Sequence, residues 1–153
     1  LTVRSLQLQQ HGGQVSFAGG KQDPADGSLI ETALRETHEE LGIPIQHIEV
    51  LGQMPFLPTV SAYNVAPVIG LLKPNTDIVP NTGEVAKVFA VPLAQLMQPQ
   101  RYVHYPVMRG NQAFQTVKFT HTEHIWGATA TILLALAEHY QAFVKDIRYG
   151  VGG

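Results

Sequence analysis

The chain has 153 residues, with ten Lys and Arg against twelve Asp and Glu, and no cysteine. That length suits a single domain with one substantial core. The near balance of charge offers no basic field to nucleic acid, and disulfides and thiolate metal sites are excluded. No apolar run reaches the ~20 residues needed to span a bilayer, so no membrane association is expected.

In chain order, residues 1–5 read as the remains of a strand, so the native N-terminus is expected further upstream, together with any targeting signal. Val15-Ser16-Phe17 reads as a second short strand running into Ala18-Gly19-Gly20-Lys21. A double glycine lets the backbone turn tightly and approach a ligand closely. Lys21, beside that turn, is either a phosphate contact or a solvated loop lysine. Asp26-Gly27 forms a turn, and Ser28 with Glu31 has the spacing of a capping box at a helix start. Ile30, Ala33, Leu34, Thr37 and Leu41 recur at helical spacing and predict a buried stripe opposite the acidic face. Gly42 suits a left-handed helix end, and Pro44 keeps the helix from resuming.

Residues 47–56 read as a strand and Phe56-Leu57-Pro58 as a loop. Ser61 to Lys73, rich in β-formers, reads as a further strand before a turn at Pro74-Asn75-Thr76. Asn81-Thr82-Gly83-Glu84 is expected to be a flexible turn, followed by a strand over 84–91 and a short helix over 92–96. Tyr102–Val107 and Gln115–Phe119 predict a hairpin around Arg109-Gly110-Asn111. A long helix is expected from Ile125 to about Asp146, with Trp126, Leu133, Leu136, Ala137, Tyr140 and Val144 on its buried face. Gly150–Gly153 reads as a frayed tail without a peroxisomal Ser-Lys-Leu type signal. His121-Thr122-Glu123-His124 is too short for a His-Glu-x-x-His zinc helix and reads as turn and capping residues. Tyr63, Phe56 and Tyr102 are candidates for lining a pocket, though aromatic residues in strands are most often core.

The chemistry concentrates in Arg35-Glu36-Thr37-His38-Glu39-Glu40-Leu41-Gly42. Glu36 pairs with Glu39 at i,i+3 and with Glu40 at i,i+4, so all three project towards one side of the helix. Like charges there cost a few tenths of a kcal/mol per pair, a repulsion that a shared cation relieves. Hard divalent ions such as Mg²⁺ take oxygen ligands and are commonly shared between carboxylates and substrate phosphates. Glu36, Glu39 and Glu40 are therefore the candidate metal ligands. Arg35 is placed to hold one or more of these carboxylates in orientation. One carboxylate must also accept a proton from an attacking water.

Gly20 through Ile43 resembles the signature of the Nudix hydrolases, Gly-x5-Glu-x7-Arg-Glu-U-x-Glu-Glu-x-Gly-U, where U is a bulky apolar residue. The second half matches from Arg35 to Ile43, with Thr37 at the first apolar position. In the first half, counting back from Arg35 places Gly27 at the first glutamate. Counting forward from Gly20 places Asp26 there, in a loop one residue longer. Upstream, Leu1-Thr2-Val3-Arg4-Ser5 followed by Gly13 and Phe17-Ala18-Gly19-Gly20 is similar to the coenzyme A diphosphatase branch. Gln9 stands at that pattern's second arginine and Ala18 at its proline. His124 to Ala130 and the segment Lys21–Asp26 also look like that branch.

The resemblance implies an α/β/α sandwich around a mixed β-sheet, as one domain over residues 1–153. It implies Mg²⁺ or Mn²⁺ as cofactor, with a backbone carbonyl at Gly19 joining Glu36, Glu39 and Glu40. It implies a base that is either a glutamate of the motif, Glu36 or Glu39, or one from a distant loop, for which Glu84 is the candidate. Arg4, Ser5 and Lys21 are the substrate-binding candidates. The expected reaction is hydrolysis of the diphosphate of coenzyme A or acyl-CoA to 3′,5′-ADP and 4′-phosphopantetheine or its acyl form. Gln9 and Ala18 leave open another nucleoside diphosphate derivative or an oxidised nucleoside triphosphate. A catalytically silent binding module is the third reading, which the intact glutamates oppose. The partner is then a small nucleotide, with a homodimer left open. The expected location is intracellular: the cytoplasm, or a peroxisome or mitochondrion in a eukaryote.

Overall fold

The computed structural model describes residues 1–59 and 63–149, in two compact units that meet in sequence at Phe89 and Ala90. The first unit is built on β1 (Thr2–Arg4), which lies between β2 (Val15–Ser16) and β7 (Val85–Val88) in a three-stranded antiparallel sheet. Thr2 is buried at the middle of this sheet, and its hydroxyl bonds the Ser16 carbonyl at 3.1 Å. The register between β1 and β7 shifts at Arg4, which pairs with Val85. Such an irregularity re-aims a side chain, and here the residue concerned is Arg4.

Helix α1 runs from Leu29 to Leu41. Ser28 caps it by accepting the Glu31 amide, while the Glu31 carboxylate reaches back to the Gly27 amide at 3.0 Å. The return arm of the expected capping box thus lands one residue further out. Gly42 ends the helix at φ 64°, and its amide bonds the His38 carbonyl. A side chain at position 42 would also collide with Val79, whose carbonyl oxygen lies 2.8 Å from where a Cβ would stand. Glycine is required there by both conformation and space.

The buried face of α1 differs from the predicted stripe. Leu41 is buried as expected, but Ile30, Ala33, Leu34 and Thr37 are only half-buried, while Thr32 and Glu40 are buried. Thr32 is held by the Asp26 carboxylate and the Ser28 carbonyl, and at the other end of the helix residues 79–85 form a strap. Val79 donates to the Leu41 carbonyl at 2.8 Å and Asn81 to the Glu40 carbonyl at 2.9 Å. The last four carbonyls of a helix have no partner within it, and the strap supplies two. The turn expected here forms over residues 82–84, and the Asn81 amide that leads into it helps cap the helix. Leu41, Ile43 and Val85 form a core cluster beneath it, against which Ala18, Ile48 and Val88 pack.

A single 3₁₀ turn over Ile45–His47 leads into β3 (Ile48–Gln53), so that strand begins one residue later than predicted. Leu57–Pro58, expected within a loop, forms β4 and pairs with β5 (Asn64–Val65). The strand expected over Ser61–Lys73 appears as β5 and β6 (Val68–Leu72), separated at Ala66-Pro67; its residues 61 and 62 lie outside the described residues. Proline has no amide to give a ladder, so a break there is natural. β6 pairs with β3.

The second unit holds α2 (Leu93–Leu96), a 3₁₀ turn at Pro99–Arg101, and a long hairpin of β8 (Tyr102–Arg109) and β9 (Gln112–Phe119). The hairpin turns at Gly110-Asn111, with Gly110 at φ 60°, as a two-residue connection demands. Ile125–Trp126 form β10 against β9, and α3 spans Gly127–Tyr149. The helix therefore starts two residues later than predicted, and Trp126 belongs to a strand. Gly127, at φ 63°, makes the corner between strand and helix. The buried face of α3 is Ala130, Leu133, Leu134 and Ala137, whereas Tyr140, expected inside, is 47% exposed. The residues 150–153 read as a tail lie outside the described residues. Every strand pairing among the described residues is antiparallel, within mixed α/β content.

Candidate active site

The glycine turn after β2 brings the backbone against the acidic face of α1. The Gly19 amide faces Glu40 Oε1 at 3.4 Å, at the long limit of a hydrogen bond. The Glu36 carboxylate lies so close to Gly20 that any Cβ at position 20 would run into it. Such close approach is a reason for glycine here. Glu36 is itself held in place, so it has little freedom to retreat.

What holds it is Arg35. Nε and Nη2 bond the two oxygens of Asp26 at 3.0 Å each, in a bidentate fork. Nη1 donates to Glu36 Oε1 at 2.9 Å and to Glu39 Oε2 at 3.1 Å, and Nη2 reaches the Lys21 carbonyl at 3.3 Å. One guanidinium thus ties three carboxylates and the glycine turn together. Asp26 also accepts the Thr32 hydroxyl and the Asp23 amide, both at 2.9 Å. The Arg35 hydrogen bond is the main reason the Asp26 carboxyl sits well below the ordinary carboxylate range, with the Asp23 amide adding to it. Asp26 shares the same guanidinium as Glu36 and Glu39, whereas Gly27 contributes only its amide to Glu31.

Glu40 is in a different setting. It is 3% exposed, and burial pushes its carboxyl up to about 6; the Gly19 amide and the Arg4 charge oppose that rise, while the charges of Glu36 and Glu84 add to it. Two further carboxylates thus act on Glu40 here, and Arg4 is the cation that opposes them. The Nε atom of Arg4 is buried and has no hydrogen-bond partner. Glu84 reaches this place because the strap caps α1 and because its carbonyl accepts the Ser5 amide at 2.7 Å. Asn81 Nδ2 bonds Glu84 Oε1 at 3.0 Å.

The remaining candidates are placed as follows. Ser5 is buried, and its hydroxyl accepts the Gln7 amide at 3.3 Å, within the turn that follows β1. Lys21 lies over the ring of Tyr63, with Nζ 5.2 Å from its centroid, and its carbonyl serves Arg35. Glu39 is the outermost glutamate, with about half its side chain exposed. His121 Nδ1 accepts the Glu123 amide at 3.0 Å, a turn contact.

Among the described residues, no three His, Asp or Glu side chains stand in an arrangement that would hold a metal ion directly. Two of the glutamates are instead engaged by Arg35. The donor set nevertheless suits a hard divalent cation. All the acidic groups offer oxygen, and Glu40 is kept from easy ionisation by burial and by Glu36 and Glu84. An added cation would relieve that penalty. Sequence reasoning missed Asn81 and the burial of Glu40. The one signal available was the Asn-x-Gly turn preceding Glu84.

A strand, a glycine turn and an acidic helix tied together by one arginine form the core of the site. The family model described as NUDIX domain matches residues 1–109, and the chain belongs to the Nudix hydrolase family. It is similar to a protein of Photorhabdus laumondii named "Uncharacterized Nudix hydrolase NudL", with 44% identity over 142 residues, covering 92% of this chain and 76% of the relative. Proteins of the same name from Yersinia enterocolitica and Pectobacterium atrosepticum are each 42% identical, over 139 and 138 residues. Those matches cover 90% of this chain in both cases and 71% and 72% of the relatives. Nudix enzymes generally use divalent metal ions and act on small molecules. Among the described residues, no helix is long and apolar enough to cross a membrane.

Proposed function

We propose that this chain is a Mg²⁺- or Mn²⁺-dependent hydrolase that cleaves the diphosphate of coenzyme A or acyl-CoA. The observation that carries this reading is the setting of the buried Glu40, whose carboxyl feels the charges of Arg4, Glu36 and Glu84. Arg4 belongs to the upstream segment that resembles the coenzyme A branch, and it lends its charge to Glu40 at the end of the acidic helix. A partly unsatisfied guanidinium beside carboxylates is a natural contact for a substrate phosphate. The family match crosses from the first compact unit into the second, which supports one catalytic domain over residues 1–153.

A bound divalent ion would supply charge neutralisation of the diphosphate and a more acidic water. Glu36, Glu39 and Glu40, with the Gly19 backbone, would hold it. Arg35 keeps Glu36 and Glu39 in one orientation before substrate arrives, so little reorganisation is needed at the moment of reaction. Water attacks one phosphorus, the bridging P–O bond breaks, and the leaving phosphate departs with the bridging oxygen. The proton released by water passes to Glu84, or to Glu39 if the motif itself provides the base. Arg4 and Lys21 would meet the phosphates, and Ser5 supports the turn that follows Arg4.

A second substrate reading is favoured by Gln9 and Ala18. Ala18 packs against the Leu41, Ile43 and Val85 cluster, and Gln9 is exposed. With no cation at position 9, the coenzyme A pattern lacks one phosphate contact, and another nucleoside diphosphate derivative or an oxidised nucleoside triphosphate fits nearly as well. Mass spectrometry of coenzyme A incubated with the protein and Mg²⁺, beside an EDTA control, decides between them. 3′,5′-ADP and 4′-phosphopantetheine appearing only with metal support the coenzyme A reading. Cleavage of nucleoside diphosphate sugars or oxidised nucleotides in its place supports the second. Silence across the panel refutes both, and a binding module then remains.

A further inference from the structure

We infer that Asn81 is a positioning residue, whose side-chain amide fixes the Glu84 carboxylate for proton acceptance. The inference rests on the diphosphatase reading with Glu84 as the base. Its ground is the local hydrogen bonding. Asn81 Oδ1 accepts the Gly83 amide at 3.1 Å, which settles the orientation of the side chain and turns Nδ2 towards Glu84 Oε1 at 3.0 Å. The Asn81 carbonyl accepts the amides of Glu84 at 3.0 Å and Val85 at 2.8 Å, and its own amide holds the Glu40 carbonyl at 2.9 Å. A single residue thus joins the end of the acidic helix to the candidate base through its backbone, and holds that base through its side chain.

The consequence is geometric. A glutamate on a loop has three rotatable bonds, and a base displaced by about 1 Å can cost on the order of a hundredfold in rate. Bonding one oxygen to Asn81 leaves Oε2 free to face the water. The bond also takes up one lone pair of a carboxylate whose charge acts on Glu40, where a further negative charge needs a donor. Asn81 bonds the candidate base through its side-chain amide, and it is through Glu84 that it would act.

Asn81→Asp separates this role from plain turn formation. Aspartate keeps the oxygen for the Gly83 amide and every backbone contact, but loses the donor and sets like charge against Glu84. We expect kcat to fall about tenfold or more, with KM within about twofold of wild type. Asn81→Ala should lose a similar amount, and adding it to Glu84→Gln should cost nothing beyond Glu84→Gln alone. A second readout uses metal-free protein and no substrate: the Asn81 side-chain amide resonance should shift in Glu84→Gln and stay put in Glu39→Gln. Unchanged kcat in both Asn81 variants, multiplied losses in the double variant, or an amide unmoved by Glu84→Gln would each overturn the inference. Full turnover by Glu84→Gln would overturn it too, while leaving the diphosphatase reading intact.

Discussion

The two ends of the acidic stretch of α1 show opposite solutions to one electrostatic problem. At Arg35, three carboxylates share a guanidinium that is itself part-exposed, and the Asp26 carboxyl is driven strongly towards its ionised form. One turn later, Glu40 is buried beside Glu36 and Glu84, and its ionised form is disfavoured. The first arrangement is complete within the protein. The second is not, and in the function proposed above the Arg35 end would fix geometry while the Glu40 end would take up a cation.

The sharpest way to break this contrast is at the proposed metal ligands. Glu36→Gln and Glu39→Gln should each lower kcat/KM by a hundredfold or more, on the order of 3 kcal/mol in transition-state stabilisation. Steady-state kinetics at saturating Mg²⁺ checks this, and losses below about threefold in both would place the chemistry elsewhere. Gly20→Ala comes next. The new methyl group must displace the Glu36 carboxylate from Arg35, so we expect about a tenfold fall in kcat with a near-normal melting temperature.

Asp26→Asn should act on orientation and on acid stability. With its pKa depressed in the fold, Asp26 contributes stability that is present above the ordinary carboxylate range and is lost as pH falls below about 4. The asparagine variant should therefore lose less stability between pH 5 and 3 than wild type does, while being less stable than wild type at pH 7. Thermal melts across that range test the sign. Glu40→Gln should give the smallest effect, and in the opposite direction. The pKa of Glu40 is raised, so its burial penalty is absent well below pH 4.5, grows as pH rises to about 6, and is constant above that. Replacing it should stabilise the metal-free protein at pH 7 by about 1 to 2 kcal/mol, and do nothing at pH 4.

Local signals in the sequence carried the strongest parts of the fold. The Ser28 cap, the Gly42 stop and the hairpin at Gly110 were legible because each depends on residues within one turn of another. The Arg35 fork was half legible: its spacing to Glu36 and Glu39 is helical, but Asp26 enters from a loop nine positions upstream. Glu40 was misjudged because it is met by the glycine turn at Gly19 and by the strap at Asn81, and no periodicity within the helix reports segments from elsewhere in the chain. The α3 start was shifted because Ile125 and Trp126 suit helix and strand alike, and the pairing with β9 decides the matter. Tyr140 fits the apolar spacing of a buried face, yet the smaller residues Ala130 and Ala137 are the ones that pack inside.

The most direct measurement is Mn²⁺ binding to the metal-free protein, followed by the loss of the free-ion EPR signal, in wild type, Glu36→Gln, Glu40→Gln and His121→Ala. If the Glu40 end of the helix awaits a cation, wild type and His121→Ala should take up Mn²⁺ alike, while both glutamate variants should bind at least about tenfold more weakly. Equal binding by all four proteins would contradict a metal site on α1.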